Sequence, residues 1–374
     1  MKIINVVGAR PNFMKMAPII EELNRFPGRF RHMLVHTGQH YSESMSASFF
    51  RDLGMPLPDI NLEVGSGTHA EQTARVMVEF EKVCLKEKPD LVIVVGDVNS
   101  TMACTITAKK LGIRVAHVEA GLRSRDMAMP EEINRLCTDV LCDLLFTTDH
   151  FANENLAAEG IAPEKVHFVG NVMIDTLLKH RELAARLGIV EKFGLKEKGY
   201  AAVTLHRPSN VDDPLVLAGI LEALSEIARE VPVVFAMHPR TRKMVGEFGL
   251  SHLLNTGAAP GGVWAIEPLG YLEFLCLNMH ARMVVTDSGG LQEETTVLGV
   301  PCITVRHNTE RPITCEVGSN LLAGSAKERI LQCGRDIIHG RAPVGSVPEK
   351  WDGSAARRII EVLLAEDDAS RIRA

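Results

Sequence analysis

Several apolar runs of the chain stop abruptly at residues able to do chemistry. The first run ends in Gly8-Ala9-Arg10-Pro11, and Lys15 follows within the opening turns of a helical pattern. Backbone N–H groups at a helix start, together with two cations, form an anion site. Alone, Lys15 would be read as a solvated helix lysine, whereas Arg10 sits in a short turn between a strand and a proline. Two further runs end in Gly96-Asp97-Val98-Asn99 and in His117-Val118-Glu119-Ala120. Neighbouring strands ending this way would set two carboxylates side by side, the usual equipment for proton transfer. Asp97 also fits a helix N-cap, while an acid at Glu119 is costly to bury without a partner. Glu131 and Glu132 then open a helix, where acids complement the dipole, so this pair reads as structural.

The second half repeats the theme with bases. His206-Arg207 ends one run and His238-Pro239-Arg240 ends another, which predicts a positively polarised wall for an anionic ligand. Thr286-Asp287-Ser288-Gly289-Gly290 joins a run to a helix, so that bare N–H groups and the helix N-terminus converge as a phosphate cradle. Glu294, early in that helix, could accept hydrogen bonds from a ribose diol, and Arg311 adds a fixed cation. Gly65-Ser66-Gly67-Thr68-His69-Ala70 matches a dinucleotide fingerprint in letters only, because no proper strand precedes it.

The elements that position these residues are β-branched runs alternating with amphipathic helices. The runs are IINVVG, HMLVHT, DLVIVVGD, RVAHVEA, LLFTT, VHFVG, YAAVTLHR, VPVVFAM, VWAIEP, RMVVTDS and PCITV. Near-continuous apolar strands between helices predict parallel sheets covered on both faces. In the first helix Phe13, Met16, Ile19, Ile20 and Leu23 share a face. The pattern restarts after Gly170, which predicts an α/β protein of two doubly wound, Rossmann-like domains, 1–170 and 171–352, across a cleft. A C-terminal helix, about 353–374, is expected to pack back on the first domain. Ligands of such sheets sit outside the carboxyl ends of the strands.

With 374 residues, 46% hydrophobic and 24% charged, the chain is a folded protein with material for two cores. Its 41 basic and 47 acidic residues give a net charge of −6, which argues against nucleic acid as a partner. Eight scattered cysteines lack zinc or redox spacing and read as buried thiols of a reducing compartment. No apolar stretch reaches membrane-spanning length and the opening run is too short for a secretion signal, so a cytoplasmic protein with no membrane partner is expected.

Taken in order, GARPNFMKMAP, HTGQH, GDVNST, HVEAGLRS, MPEEINR, TLHRPSN, DSGGLQEE and TERP closely resemble the motifs of the non-hydrolysing UDP-N-acetylglucosamine 2-epimerases. The resemblance implies a GT-B-like fold, a homodimer, and interconversion of UDP-GlcNAc and UDP-ManNAc by loss and return of UDP, with no metal or nicotinamide. It puts UDP contacts on Arg10, Lys15, Ser288, Gly289, Gly290, Glu294 and Arg311, with uracil near Leu269 and Phe274. It assigns catalysis to Asp97, Glu119, Glu131 and His206. Two departures stand out. Tyr41-Ser42-Glu43-Ser44-Met45 replaces the glutamine pair of members that have an activating substrate site. Asn12-Phe13 replaces Glu-Ala, as in relatives acting on UDP-2,3-diacetamido-glucuronic acid, which makes that sugar the alternative substrate. A GT-B glycosyltransferase is the other alternative, but retaining members carry two glutamates eight apart, and Pro301 and Cys302 stand at that spacing from Glu293 and Glu294.

Overall fold

The computed structural model describes residues 1–38, 54–257 and 261–373. Within them the chain forms two compact units, Met1–Lys179 with Glu349–Ala374, and His180–Pro348. The division therefore lies inside the helix Val172–Ala185 rather than at 170. Its first half carries the apolar side chains that the first unit buries: Val172, Met173, Ile174 and Leu177 are all at most 4% exposed.

The first unit holds a parallel sheet of β1 (Lys2–Val7), β2 (Arg31–His36), β3 (Ile60–Asn61), β4 (Leu91–Val95), β5 (Arg114–Ala120), β6 (Leu144–Thr147) and β7 (Val166–Phe168). Its spatial order is β3-β2-β1-β4-β5-β6-β7. The second unit holds β8 (Ala201–Thr204), β9 (Val233–Ala236), β10 (Val263–Ile266), β11 (Met283–Thr286), β12 (Cys302–Thr304) and β13 (Asn320–Leu322), in the order β10-β9-β8-β11-β12-β13. Both are doubly wound sheets, and in each the order reverses beside the first strand, at β1/β4 and at β8/β11. Only β3 and β13 go beyond the eleven strands expected. They are edge strands of two and three residues, too short to show a period.

Strand cores are apolar on both faces, as a sheet covered by helices requires. Ile4, Val6, Val92, Val94, Val115 and Leu145 belong to the first core, and Val203, Val233, Phe235, Val285 and Ile303 to the second. In the helix Arg10–Leu23, Phe13, Met16, Ile19, Ile20 and Leu23 are at most 4% exposed. Each contributes roughly 1.5–3 kcal/mol of hydrophobic stabilisation. The helix Ala355–Arg373 packs against it, burying Ile359, Ile360 and Leu363, and Arg29 Nε donates to Asp367 Oδ2 at 2.8 Å.

All eight cysteines are free, six of them buried and Cys137 and Cys315 half-buried. Among the described residues no helix is long and apolar enough to cross a membrane. The Gly65–Ala70 stretch is a helix start, in which Thr68 and Glu71 close a reciprocal capping box on the helix His69–Glu87.

Candidate active site

In the first unit the chemistry gathers where β1, β4 and β5 end. Gly96 N donates to Val118 O at 3.0 Å, so the chain just past β4 runs beside the end of β5 and brings Asp97 and Glu119 onto neighbouring strand ends. Each acid faces its own buried cation. Asp97 caps no helix: its carboxylate accepts from Arg135 Nη1 at 2.5 Å, and its carbonyl accepts from Asn134 Nδ2 at 2.8 Å. Glu119 is 3% exposed and accepts from Lys15 Nζ. Lys15 is thus no solvated helix lysine. It is 5% exposed and neutralises an acid of its own unit.

The backbone is bent to make this arrangement. Glu119 has φ +74°, within an irregularity of the β5/β6 pairing between Val118 and Ala120. A non-glycine residue held there costs about 1–3 kcal/mol and persists only where its surroundings impose it. Gly96, at φ +67°, comes so close to the first helix that an added Cβ would lie 3.1 Å from Lys15 Nζ. Arg10 opens that helix. The stretch Gln39–Met45, with its missing glutamine pair, lies outside the described residues.

The two acids opening the helix Pro130–Leu141 divide in role. Glu132 is buried and accepts from Ser124 N at 2.9 Å, Arg125 N at 2.8 Å and Arg135 Nε at 3.0 Å. Burial would raise its carboxyl, but these donors hold it below the usual range. Glu131 is half-buried and lines a cavity of about 310 Å³ with His69, Gln72, Asn99 and Asn134. Asn12 and Phe13 turn inward. Asn12 Oδ1 accepts from Gly8 N at 3.1 Å and Ala9 N at 2.9 Å, its amide donates to Val95 O at 3.0 Å, and Phe13 packs on the His36 ring at 5.2 Å.

In the second unit the β8/β11 ends hold a base and a cradle. Asp287 is fully buried and accepts from His206 Nδ1 at 2.9 Å, Arg207 N at 2.9 Å and Asn210 Nδ2 at 3.1 Å. Burial pushes its carboxyl up, but the His206 bond and charge lead the donors that bring it below the ordinary range. The His206 side chain stays 43% exposed, with its Nδ1 edge fixed, 5.9 Å from the His238 ring. Burial and the His206 charge lower His238.

The expected wall is less positive than its residues promised. Arg240 pairs with Asp212, and His238 Nδ1 accepts from Arg240 N at 3.2 Å. Arg311 is likewise no isolated cation, since Nε donates to Glu293 Oε1 at 2.6 Å and Nη1 to Glu310. Burial opposes ionisation of Glu310, but Arg311 and Arg306 hold its carboxyl far below the usual range.

Ser288 caps the helix Gly289–Leu298, leaving the N–H groups of Gly289 and Gly290 in its first turn. A Cβ on Gly289 would lie 2.6 Å from Arg311 Nη1 and 2.9 Å from Glu310 Oε1, so any larger residue there must displace the Arg311–Glu310 pair. Glu294 is buried and raised to about 8, by burial first and by the neighbouring Glu293 carboxylate second, while the Tyr271 hydroxyl works the other way. Tyr271 opens the helix Tyr271–Met279, so half-buried Leu269 and Phe274 lie within three residues of a side chain that meets Glu294. Sequence reasoning missed Asp287, which passed as part of a turn, and Arg135, which reads as an ordinary helix charge.

Doubly wound parallel sheets, with acids at one set of strand ends and a Ser-Gly-Gly helix start at the other, put the chain among the α/β proteins whose strand ends carry their sites. The comparison with known proteins narrows it. The profile of the family described as UDP-N-acetylglucosamine 2-epimerase matches residues 21–364, and the chain belongs to this family. UDP-N-acetylglucosamine 2-epimerase of Methanococcus maripaludis is 43% identical over 374 residues, covering 98% of this chain and 99% of its own. UDP-2,3-diacetamido-2,3-dideoxy-D-glucuronate 2-epimerase of Pseudomonas aeruginosa is 41% identical, over 97% of this chain and 99% of its own. The crystal structure of the Methanocaldococcus jannaschii UDP-GlcNAc 2-epimerase in complex with UDP-GlcNAc and UDP superposes with a TM-score of 0.88, at 42% identity, over 98% of this chain and 100% of that one. The GT-B-like, two-sheet architecture is shared with these neighbours.

Proposed function

We propose that the protein reversibly converts UDP-GlcNAc to UDP-ManNAc by inverting C2. The observation that carries this reading is the pair of acids at adjacent strand ends, Asp97 and Glu119, each set against a buried cation. The relatives named above support the substrate. The C2 hydrogen is not next to a carbonyl, so simple deprotonation would leave an unstabilised carbanion. If the C1–O bond breaks and UDP leaves with its electron pair, charge at C1 acidifies C2–H. One carboxylate then takes the proton and a glycal forms. Protonation of C2 from the opposite face, with return of UDP to C1, completes the inversion.

Asp97, Glu119 and Glu131 are the proton-transfer candidates. His206, with Nδ1 held by Asp287, has its other ring edge available for the departing diphosphate, and the Gly289 and Gly290 N–H groups stabilise the charge that develops there. Leu269 and Phe274 hold the base and Glu294 the ribose. Lys15 and Arg311 act through the acids they pair with as well as through charge on the diphosphate, and Arg10 adds its own charge. We read the protein as a homodimer. Exposed Ile133 and Val140, two helical turns apart, and Val78 and Leu85, likewise, are apolar stripes fit for a second copy.

The test is epimerisation of UDP-GlcNAc in deuterated water by protein treated with EDTA. Product carrying deuterium at C2 is expected. Epimerisation with full retention of the C2 hydrogen would overturn the elimination route. The Pseudomonas relative favours one second reading, the same chemistry on UDP-2,3-diacetamido-glucuronic acid, and relative kcat/KM for the two sugars separates them.

A further inference from the structure

Two residues that no step above uses lie buried beneath the acid-bearing strand ends. His117, inside β5, has no exposed surface, and Asp139, in the helix Pro130–Leu141, is 1% exposed. His117 Nδ1 is 2.6 Å from Asp139 Oδ1, and Nε2 is 2.8 Å from the Gly96 carbonyl. The other carboxylate oxygen accepts from Gly121 N at 3.0 Å and from Arg123 Nη1 at 2.8 Å. Arg123 continues to Glu159, at 2.8 and 2.6 Å.

Burial alone would raise the Asp139 carboxyl, but the charges of His117 and Arg123 hold it below the ordinary range, so it is an ionised acceptor. His117 is therefore flanked by a carboxylate and a carbonyl, neither of which can donate. Both ring nitrogens thus meet acceptors, and the contact with the Gly96 carbonyl requires an N–H at Nε2. A fully buried polar pair of this kind is costly unless it is satisfied as completely as this one is.

The two backbone groups that the pair holds are significant. Gly96 immediately precedes Asp97 and has φ +67°. Gly121, at φ +81°, closes the bent segment that begins at Glu119, whose φ is +74°. Glu119 is itself left-handed and Asp97 follows a left-handed glycine, and each bend is tied down at one point by the same His117–Asp139 pair. Arg135 and Lys15 anchor the carboxylates themselves, whereas His117 anchors the Gly96–Asp97 peptide and Asp139 the Ala120–Gly121 peptide, one residue beyond Glu119.

We propose that His117 and Asp139 are positioning residues for proton transfer. They clamp the Gly96 carbonyl and the Gly121 amide, and so set the mutual placement of the Asp97 and Glu119 carboxylates. The inference rests on the reading of those two acids as proton-transfer groups. A residue that serves stability alone would lower the melting temperature and leave turnover per folded molecule unchanged. A positioning residue lowers kcat in protein that is still folded, because misplacement by about 1 Å costs about a hundredfold in rate.

Two substitutions divide the clamp. In His117→Asn the amide nitrogen stands near the place of Nδ1, so the Asp139 contact survives and Gly96 is released. In His117→Gln it stands near Nε2 and Gly96 is kept. His117→Asn should lower kcat for UDP-GlcNAc about a hundredfold, with KM and UDP affinity within about threefold, and His117→Gln should recover about a tenfold part of the loss. A cooperatively melting His117→Asn protein with kcat within about threefold of the parent overturns the proposal.

A second measurement needs neither turnover nor variants. In the parent protein labelled with ¹⁵N-histidine, His117 should show an N–H at Nε2 that exchanges slowly with solvent, as its bond to the Gly96 carbonyl requires. An Nε2 that carries no proton overturns the clamp even if the variants fail to fold. A parent that leaves UDP-GlcNAc unchanged in deuterated water would instead sink the functional reading, and the histidine spectrum would still decide whether the clamp exists.

Discussion

At the end of β4 and β5 the first unit closes its charges on themselves, with Asp97 against Arg135 and Glu119 against Lys15. At the end of β8 and β11 the second unit also pairs its charges, Asp287 with His206 and Arg311 with Glu293 and Glu310, but it adds a helix start, Gly289–Gly290, and leaves the His206 side chain 43% exposed. The strand order around the two switch points is the same, so the sheet does not determine what a switch point does. The side chains on the connecting turns do. A buried cation holds the carboxylate beside it in one place. A cradle meant for a diphosphate draws instead on helix-start N–H groups, which carry no net charge to be paired off.

The largest effect should come from breaking the two ends separately. Asp97→Asn or Glu119→Gln should lower kcat by about a thousandfold, the range for losing a proton-transfer group, with UDP affinity within about threefold by calorimetry. Gly289→Val should do the opposite. Its side chain would collide with Arg311 and Glu310 at the head of the cradle helix, so UDP affinity should fall at least about tenfold. Equal loss of UDP affinity in both sets would mean that the two ends are not divided between proton transfer and nucleotide binding.

A smaller effect separates the ends by pH. Glu294 is raised to about 8 in the folded protein, by burial and by Glu293. The folded state then holds a proton that the unfolded chain releases near pH 4.3. Stability from this group is complete below the unfolded value and is lost as pH rises through about 8. The melting temperature of the parent should therefore fall across that window more steeply than that of Glu294→Gln. Parallel curves would show that Glu294 titrates normally. Asp139 in the first unit runs the other way: held low, it contributes stability above the ordinary carboxylate value that is lost on acidification.

The sequence shows the strand ends because β-branched runs that stop at a glycine and a charge are local patterns. Asp97, Glu119, His206 and Ser288 were visible for that reason. Their partners were not. Arg135 lies 38 residues from Asp97 and Asp287 lies 81 from His206, and nothing in a helix period or a turn signature says which distant charge closes on which. His117 shows the same limit, since inside an apolar strand it passes for one more core position. The unit boundary slipped from 170 to 179 because a helix that straddles two units has no break in its pattern. The partner of Lys15 was hidden in the same way, because Glu119 lies 104 residues on and only the fold brings its strand end to the first helix.

The smallest effect concerns Asn12, where the sequence departs from Glu-Ala and where a sugar-reading role was open. The structure spends both ends of that side chain on backbone, two N–H groups of the first turn and the Val95 carbonyl at the end of β4. It is 2% exposed, so it has no face left for a substrate. Asn12→Asp keeps the acceptor and loses the donor, setting a carboxylate oxygen against the Val95 carbonyl. That should cost about 1–3 kcal/mol of stability, the usual loss for an unsatisfied buried polar group. The ratio of kcat/KM for UDP-GlcNAc over UDP-2,3-diacetamido-glucuronic acid should move by less than about threefold, because the lost bond supports the turn and not the sugar. A large shift in that ratio, with stability unchanged, would show that this first turn reads the substrate and that the proton-transfer end of the protein also selects the sugar.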